Sequence, residues 1–364
     1  MEIHEDAPCL RDALAAYDYG GQLVGAVRYG QGHINDTYAV YCQMSDGSAK
    51  RFILQRINQF VFKKPVEVME NILGVTQCLG EKIAAAGGNP ERECLQVLPE
   101  RGGRFWYIAP DGGVWRLYPF IENTVSYQKA GSAEVFVAAA RAFGRFAADL
   151  RDYPADSLHS TIPHFHDTPK RFAALLAAIR ADKAGRVGAC RAEIDFVLAR
   201  EADCRVLVDQ LEQGLLPLRV THNDTKLNNV LIDPELGEGV CVIDLDTVMP
   251  GLWAYDFGDA IRFGASTAAE DEPDLSKVRL DVELYQKYLT AFLETAGSAL
   301  IDAERASLPW GARLMCLECG MRFLTDYLDG DVYFKTHRPG HNLDRCRAQL
   351  KLVREIEACW DELV

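Results

Sequence analysis

The residues best suited to chemistry lie in one stretch near the middle of the chain, residues 222–229, which read His-Asn-Asp-Thr-Lys-Leu-Asn-Asn. A second apolar run follows and ends in Asp244. If both runs lead into neighbouring strands, Asp224, Asn229 and Asp244 share one cleft. One aspartate that accepts a hydroxyl proton, beside an Asn and an Asp that hold Mg²⁺ on nucleotide phosphates, is the arrangement of phosphoryl transfer. We therefore predict Asp224 as the base and Asn229 and Asp244 as the metal ligands.

The pattern His-x-Asp-x-x-x-x-Asn is short, and it arises by chance in roughly a few percent of chains of this length. The alternative is an ordinary turn with polar capping residues. The spacing of the two apolar runs and the Ile-Asp-Leu-Asp at 243–246 favour the catalytic interpretation. Lys226, two residues after the predicted base, either reaches the transferred phosphate or is a surface cation.

The elements around this stretch change character along the chain. Residues 22–120 contain two predicted hairpins, 38–54 and 105–118, with a helical spacing of apolar residues over 66–86 between them. Residues 132–213 are rich in Ala and Leu, a second β-rich patch covers 218–249, and helices are predicted from about 280 onward. The sequence therefore predicts an α+β, bilobal fold, with a small β-rich N-terminal lobe over 1–121 and a larger, mainly helical C-terminal lobe over 122–364.

Two features of the first lobe suit a nucleotide. Gly30 and Gly32 precede the first hairpin, where peptide N–H groups can approach phosphates, although a short Gly-x-Gly is also a common plain turn. The run 117–122 marks the change from strand to helix, and Phe120 and Glu122 lie there. Such a linker is where a kinase would receive adenine, and its alternative is a simple domain linker.

Composition excludes several classes of function. The net charge is −14 and the isoelectric point is near 5.1, so the chain has no general affinity for nucleic acid or anionic membranes. The acidic N-terminus and the lack of an apolar run of membrane-spanning length predict a cytoplasmic protein. Eleven cysteines, an odd and scattered set, predict reduced thiols, with Cys316 and Cys319 packed in a core.

A further cluster, His164, His166 and Asp167, has the residue types of a metal site. Asp167 is followed by Thr168 and Pro169, which is the pattern of a helix cap with proline in the first turn. We predict the cap.

These motifs resemble those of the kinase-like aminoglycoside phosphotransferase superfamily and, within it, the N-acetylhexosamine 1-kinases, along nearly the whole chain. The generic motifs indicate the superfamily, and longer runs indicate the sugar kinases. These runs are residues 30–35, 118–127, 164–169, 219–229, 243–251, 256–267 and 318–324.

The resemblance implies a protein-kinase-like fold and an ATP-dependent, Mg²⁺-requiring enzyme that phosphorylates the anomeric hydroxyl of a neutral amino sugar, N-acetylglucosamine or N-acetylgalactosamine. It implies that His33, Arg322 and Tyr333 line the sugar site with Asp224. Without the resemblance, His33 would be interpreted as a turn residue, Arg322 as a surface ion-pair former and Tyr333 as a core residue.

One position departs from the protein-kinase pattern. Gln55 stands where the phosphate-pairing lysine is expected, and Arg56 points to the opposite face of a regular strand. The usual Lys–Glu ion pair is therefore in doubt. Alternatives to the sugar kinase are a same-fold kinase for choline, homoserine or an aminoglycoside, a non-catalytic pseudokinase, and a carbohydrate-binding protein without chemistry.

Overall fold

The computed structural model describes residues 2–3, 7–30, 34–129 and 132–364. The N-terminal part contains a sheet in the order β1-β2-β3-β4-β6-β5, in which β1 pairs parallel to β2 and the other pairs are antiparallel. Its strands are β1 (Glu2–Ile3), β2 (Gly21–Arg28), β3 (Asp36–Met44), β4 (Ala49–Arg56), β5 (Tyr107–Ile108) and β6 (Val114–Pro119).

Both predicted hairpins are confirmed. The β3–β4 turn has Gly47 at φ 86°, a left-handed conformation that glycine adopts without the clash of a side chain, and the β5–β6 turn has Gly112 at φ 81°. The pairing of β4 with β6 places Gln55 opposite Arg116, although 61 positions separate the two in sequence.

The helices fall mostly in the second part of the chain. In the first part lie α1 (Leu10–Ala16), α2 (Pro65–Ala85) and α3 (Pro90–Glu93). The second part contains α4 (Ala133–Asp149), α5 (Thr168–Ala181), α6 (Arg191–Leu198), α7 (Val206–Glu212), α8 (Trp253–Gly264), α9 (Val282–Ala296), α10 (Asp302–Asp329), α11 (His341–Ala358) and α12 (Trp360–Leu363). Short strands β7 (Arg219–Thr221), β8 (Val230–Asp233), β9 (Glu238–Val242) and β10 (Met249–Gly251) pair as β8–β9 and β7–β10. The predicted α+β, bilobal kinase-like fold is confirmed.

Helix α2 joins the sheet to the second part of the chain. Its apolar face, which includes Ile72, shares a core with Leu245 and Val248. Asn71 on the same face is buried and donates to the carbonyl oxygens of Val248 and His159, each at 2.9 Å. Because buried amides are hydrogen-bonded in folded proteins, Asn71 fixes α2 to the loops that contain His159 and Val248.

Helices α8 and α10 approach each other closely at two glycines. A Cβ on Gly258 would lie 2.2 Å from the Gly311 carbonyl oxygen, and a Cβ on Gly311 would lie 1.9 Å from that of Ala254. Neither position has room for a methyl group. The contact brings the start of α8 and the middle of α10 into one rigid unit.

Two smaller predictions are also confirmed. Asp167 caps α5 by accepting the Lys170 N–H at 3.1 Å, with Pro169 in the first turn. Cys316 is buried within α10, and both Cys316 and Cys319 are free thiols. No helix in the described ranges is long and apolar enough to cross a bilayer.

Candidate active site

The predicted catalytic stretch, residues 222–229, follows β7 and is held by the first turn of α8. The Asp256 carboxylate accepts the N–H groups of His222 and Asn223, both at 2.7 Å. The Asp256 carbonyl oxygen accepts the Thr225 hydroxyl at 2.5 Å. Asn223 has φ 64°, so the chain turns sharply just before Asp224. Burial raises the pKa of Asp256 to about 6, against the lowering effects of His222 and the two peptide N–H groups.

His222 is an anchor of this loop. Its ring is fully buried, makes edge contacts with Phe143 and Phe146, and has Nε2 2.9 Å from the Ile243 carbonyl oxygen. The ring therefore ties the loop to the end of the second apolar run, as the spacing of the two runs predicts.

Asp224 lies between a cation and an amide. Its Oδ1 is 2.6 Å from Lys226 Nζ, and its Oδ2 accepts Asn229 Nδ2 at 3.0 Å. Burial alone would raise the pKa of Asp224, but Lys226, His222 and the Asn229 amide outweigh it, so the pKa lies below its usual range. Asp224 is therefore ionised at neutral pH and can accept a proton.

Asp244 follows β9 and has a left-handed backbone conformation, with φ 61°. The residue is exposed. The surrounding protein limits the access of water to its carboxyl, and this desolvation raises the pKa of Asp244 to about 7. The negative charges of Asp246 and Asp224 add to the rise. Asn229 directs its amide nitrogen to Asp224, which leaves its amide oxygen as the available ligand atom. Crowded carboxylates beside an amide oxygen form a hard donor set of the kind that Mg²⁺ shares with phosphates, so these residues fit the ion.

Next to these residues a cavity of about 660 Å³ opens between the sheet and the second part of the chain. Five predicted residues line it: Gly30, Gln55, Phe120, Asn229 and Asp244. Gly32 lies outside the described residues. The volume suits a nucleotide, and the lining combines an aromatic side chain at Phe120 with a carboxylate at Asp244.

Glu122 has a different environment. Its carboxylate pairs with Arg51 through both guanidinium arms and is half exposed, and it is not among the residues that line the cavity. The Arg51 guanidinium also lies 3.7 Å from the centre of the Phe120 ring. Glu122 therefore fixes Arg51 against the linker, a role that the sequence did not indicate.

Two residues of this cleft were missed by sequence reasoning. Arg116 lines the cavity and is paired with Asp246 at 2.5 Å, and both side chains are buried. The other oxygen of Asp246 accepts Asn35 Nδ2 at 2.6 Å, which links the segment before β3 to the second part of the chain. The acidic Ile-Asp-Leu-Asp run was a signal for Asp246, but nothing local marked Arg116.

A second pocket, of about 330 Å³, lies beside α10 and is lined by Arg322 and Tyr333. The Arg322 guanidinium lies over the rings of Phe165 and Phe334, at 5.5 and 5.6 Å, and has no hydrogen-bond or ion-pair partner in the described part of the chain. Tyr333 is more than half exposed and packs against Phe334. The structure therefore brings Arg322 and Tyr333 together. His33 lies outside the described residues.

The loop that carries Tyr333 is fixed by one buried carboxylate that the sequence did not reveal. Asp326 accepts the N–H groups of Val332, Tyr333 and Phe334 at 2.8–3.0 Å, and also the Asn342 amide at 2.8 Å. Four hydrogen bonds to one carboxylate leave the loop little freedom.

Asp224 does not line this second pocket. Helix α8 connects the two sites, because Asp256 in its first turn holds the catalytic loop while its packing against α10 orients the helix that carries Arg322. The loop that carries Asp224 and the second pocket are thus held by one packed pair of helices.

The chain is similar to known phosphotransferases in sequence pattern and in structure. The model of a phosphotransferase enzyme family matches residues 26–290. An aminoglycoside phosphotransferase from Alicyclobacillus acidocaldarius is similar in structure, with TM-score 0.61, 14% identity, and coverage of 97% of this chain and 94% of that chain. An amicoumacin kinase has TM-score 0.58, 15% identity and coverage of 98% and 94%. A Plasmodium vivax ethanolamine kinase has TM-score 0.54, 14% identity and coverage of 89% and 81%.

Proposed function

Because this chain belongs to the phosphotransferase enzyme family, we propose that it transfers the γ-phosphate of ATP to the anomeric C1 hydroxyl of N-acetylglucosamine or N-acetylgalactosamine. The product is the α-1-phosphate. The acceptor is assigned from the resemblance of the long runs around 118–127, 164–169 and 318–324, and from the Arg322 guanidinium that the second pocket presents.

The state of the charged side chains in this pocket is the observation that carries the choice of acceptor, because its acids have protein partners and Arg322 has no hydrogen-bond or ion-pair partner in the described part of the chain. Arg171 and Arg322 both line it, and burial, followed by the charge of Arg322, lowers the pKa of Arg171. Of the acids that line it, Asp326 is occupied by peptide N–H groups and Asp329 is paired with Lys183 at 2.7 Å. Both lining acids are therefore engaged by the protein, which disfavours the cationic choline, ethanolamine and aminoglycosides. The Arg322 guanidinium, with no hydrogen-bond partner among the residues described, can donate to the oxygens of a neutral sugar.

In the proposed reaction the nucleotide occupies the larger cavity and the sugar reaches the catalytic loop from the Arg322 side. Asp224 accepts the C1 hydroxyl proton as the C1 oxygen bonds to the γ-phosphorus. The bond from that phosphorus to the bridging oxygen breaks, and ADP leaves with the electron pair. Asn229 and Asp244 would hold Mg²⁺, which supplies neutralisation of phosphate charge. Lys226 keeps Asp224 ionised and oriented.

The test is ADP release over a panel of N-acetylhexosamines, hexoses, choline and kanamycin-type amines, with phosphorus NMR of the product. We expect turnover with N-acetylhexosamines and an acid-labile anomeric phosphate. A 6-phosphate, or a preference for an amine, would overturn the proposed acceptor.

Two variants distinguish a role of Arg322 in acceptor binding from a general loss of stability. Arg322→Ala should raise the sugar KM about tenfold or more, because it removes a guanidinium that every residue the structure describes leaves free to bind the sugar. Arg180→Ala, on the exposed face of α5, is the matched control and should leave the sugar KM unchanged. An equal effect of both variants argues against the assignment of Arg322.

A further inference from the structure

The buried arginine of the nucleotide cavity occupies an unusual position. Arg116 lies in the middle of β6, is 1% exposed and donates from Nε to Gln55 Oε1 at 3.0 Å. Gln55 donates in turn to the Thr37 hydroxyl at 3.0 Å. The guanidinium also pairs with Asp246 at 2.5 Å and borders the cavity beside Asp244. A cation is thus fixed in the wall of the cavity, close to Asp244, by Gln55 and Asp246.

In the usual kinase arrangement a lysine on the strand equivalent to β4 meets the phosphates and pairs with a glutamate on the next helix. Both partners are absent from those places here. Gln55 occupies the lysine position, and the acids of α2 are used elsewhere: Glu67 pairs with Lys64 at 2.8 Å and Glu70 meets His159 at 2.7 Å. Glu81 accepts from Gln77 at 3.0 Å.

The side chain of Gln55 is matched to Arg116. Its amide oxygen accepts from the guanidinium, whereas a lysine at this position would place a second cation against Arg116. A buried guanidinium is costly unless it is paired, and Asp246 supplies that pairing. Compared with the usual arrangement, the cation is therefore on the neighbouring strand, β6, and its acidic partner follows β9 instead of lying on a helix.

We propose that Arg116 supplies the fixed positive charge that binds the nucleotide phosphates, in place of the strand lysine, and that Asp246 is its counter-ion. The inference rests on the nucleotide assignment of the cavity and is independent of which acceptor the protein uses. A charge in the low-dielectric wall of a cavity acts strongly on a nearby anion. Phosphate binding should therefore depend on Arg116, while binding of the nucleoside should not.

The experiment is calorimetric titration with ADP and Mg²⁺, and separately with adenosine, without any acceptor. Removing Arg116 alone would leave Asp246 buried and unpaired, so the variant is the double R116Q/D246N. We expect it to bind ADP about tenfold or more weakly and adenosine within twofold of wild type.

A second variant, Q55K/R116Q/D246N, returns the cation to the strand position of the usual arrangement. It should recover most of the lost ADP affinity. Equal losses for ADP and adenosine, or ADP affinity of the double variant within twofold of wild type, would overturn the role of Arg116. Failure of wild type to bind ADP would overturn the nucleotide assignment, whereas an unexpected acceptor in the kinase assay would affect only the proposed sugar substrate.

Discussion

Lys226 Nζ lies 2.6 Å from Asp224 Oδ1, so the predicted base is already paired with a cation two residues away. Both side chains are partly exposed to the cleft, at 34% and 25%, which leaves room for an acceptor hydroxyl. The pair combines two properties that a base in phosphoryl transfer needs: a fixed orientation and an ionised carboxylate.

Replacing Lys226 with methionine should move the acid limb of the pH profile. The pKa of Asp224 lies below its usual range because Lys226 and other partners outweigh burial, so removal of the cation raises that pKa. The acid limb of kcat/KM should therefore move to higher pH. Lys226→Arg, which keeps the charge, is the control. An unchanged acid limb in the methionine variant would contradict the role of Lys226.

Metal dependence should vary with pH through Asp244. Its pKa is raised to about 7, and Mg²⁺ competes with the proton for this carboxylate. The apparent Mg²⁺ affinity should rise by up to about tenfold per pH unit below 7 and level off above 8. Titrations of activity with Mg²⁺ at fixed nucleotide concentration measure this. Asp244→Asn, which carries no proton in this range, should bind Mg²⁺ weakly and without this slope.

The close contact of α8 with α10 makes a sharp prediction for stability. Gly311→Ala should lower the free energy of unfolding by about 1–3 kcal/mol, because the new methyl group meets the Ala254 carbonyl oxygen. Gly80→Ala in α2 is the matched control, since its Cβ would lie 3.8 Å from the nearest atom, and it should stabilise by about 0.5–1 kcal/mol. Urea denaturation measures both. Equal effects of the two substitutions would show that the helix contact adapts.

Asp326 should act on the acceptor through the loop that carries Tyr333. Asp326→Ala leaves three peptide N–H groups without their acceptor, so the loop loses its fixed position. We expect the acceptor KM to rise about tenfold while the ATP KM changes less than twofold. Asp195→Ala, in an exposed ion pair with Arg191, is the control and should change neither constant. An unaltered acceptor KM would show that Tyr333 does not need this support.

Much of the fold followed from local patterns. Short-range interactions determine the hairpins at Gly47 and Gly112 and the cap at Asp167. Because the residues involved lie within a few positions of one another, these features can be predicted from the sequence. Helix α2 followed from its apolar spacing in the same way. The order of these elements was enough to predict the α+β, bilobal fold.

In the candidate site too, local patterns predicted some residues correctly and did not predict the environment of others. The predicted base and metal ligands lie within one loop and the end of one hairpin, and the structure brings Asp224, Asn229 and Asp244 together. Glu122 was expected in the nucleotide cavity and instead pairs with Arg51, because the side chain of a linker residue can turn to either side.

The sequence by itself determined which stretch can perform chemistry, because that chemistry needs residue types at short, fixed spacing. Only the tertiary structure decided how the missing lysine is replaced. Arg116 reaches Gln55 through strand pairing and Asp246 through the packing of the sheet on the second hairpin, and 130 positions separate Arg116 from Asp246 in sequence. Such contacts produce no local sequence pattern, because residues far apart in sequence are brought together by strand pairing and by the packing of the sheet.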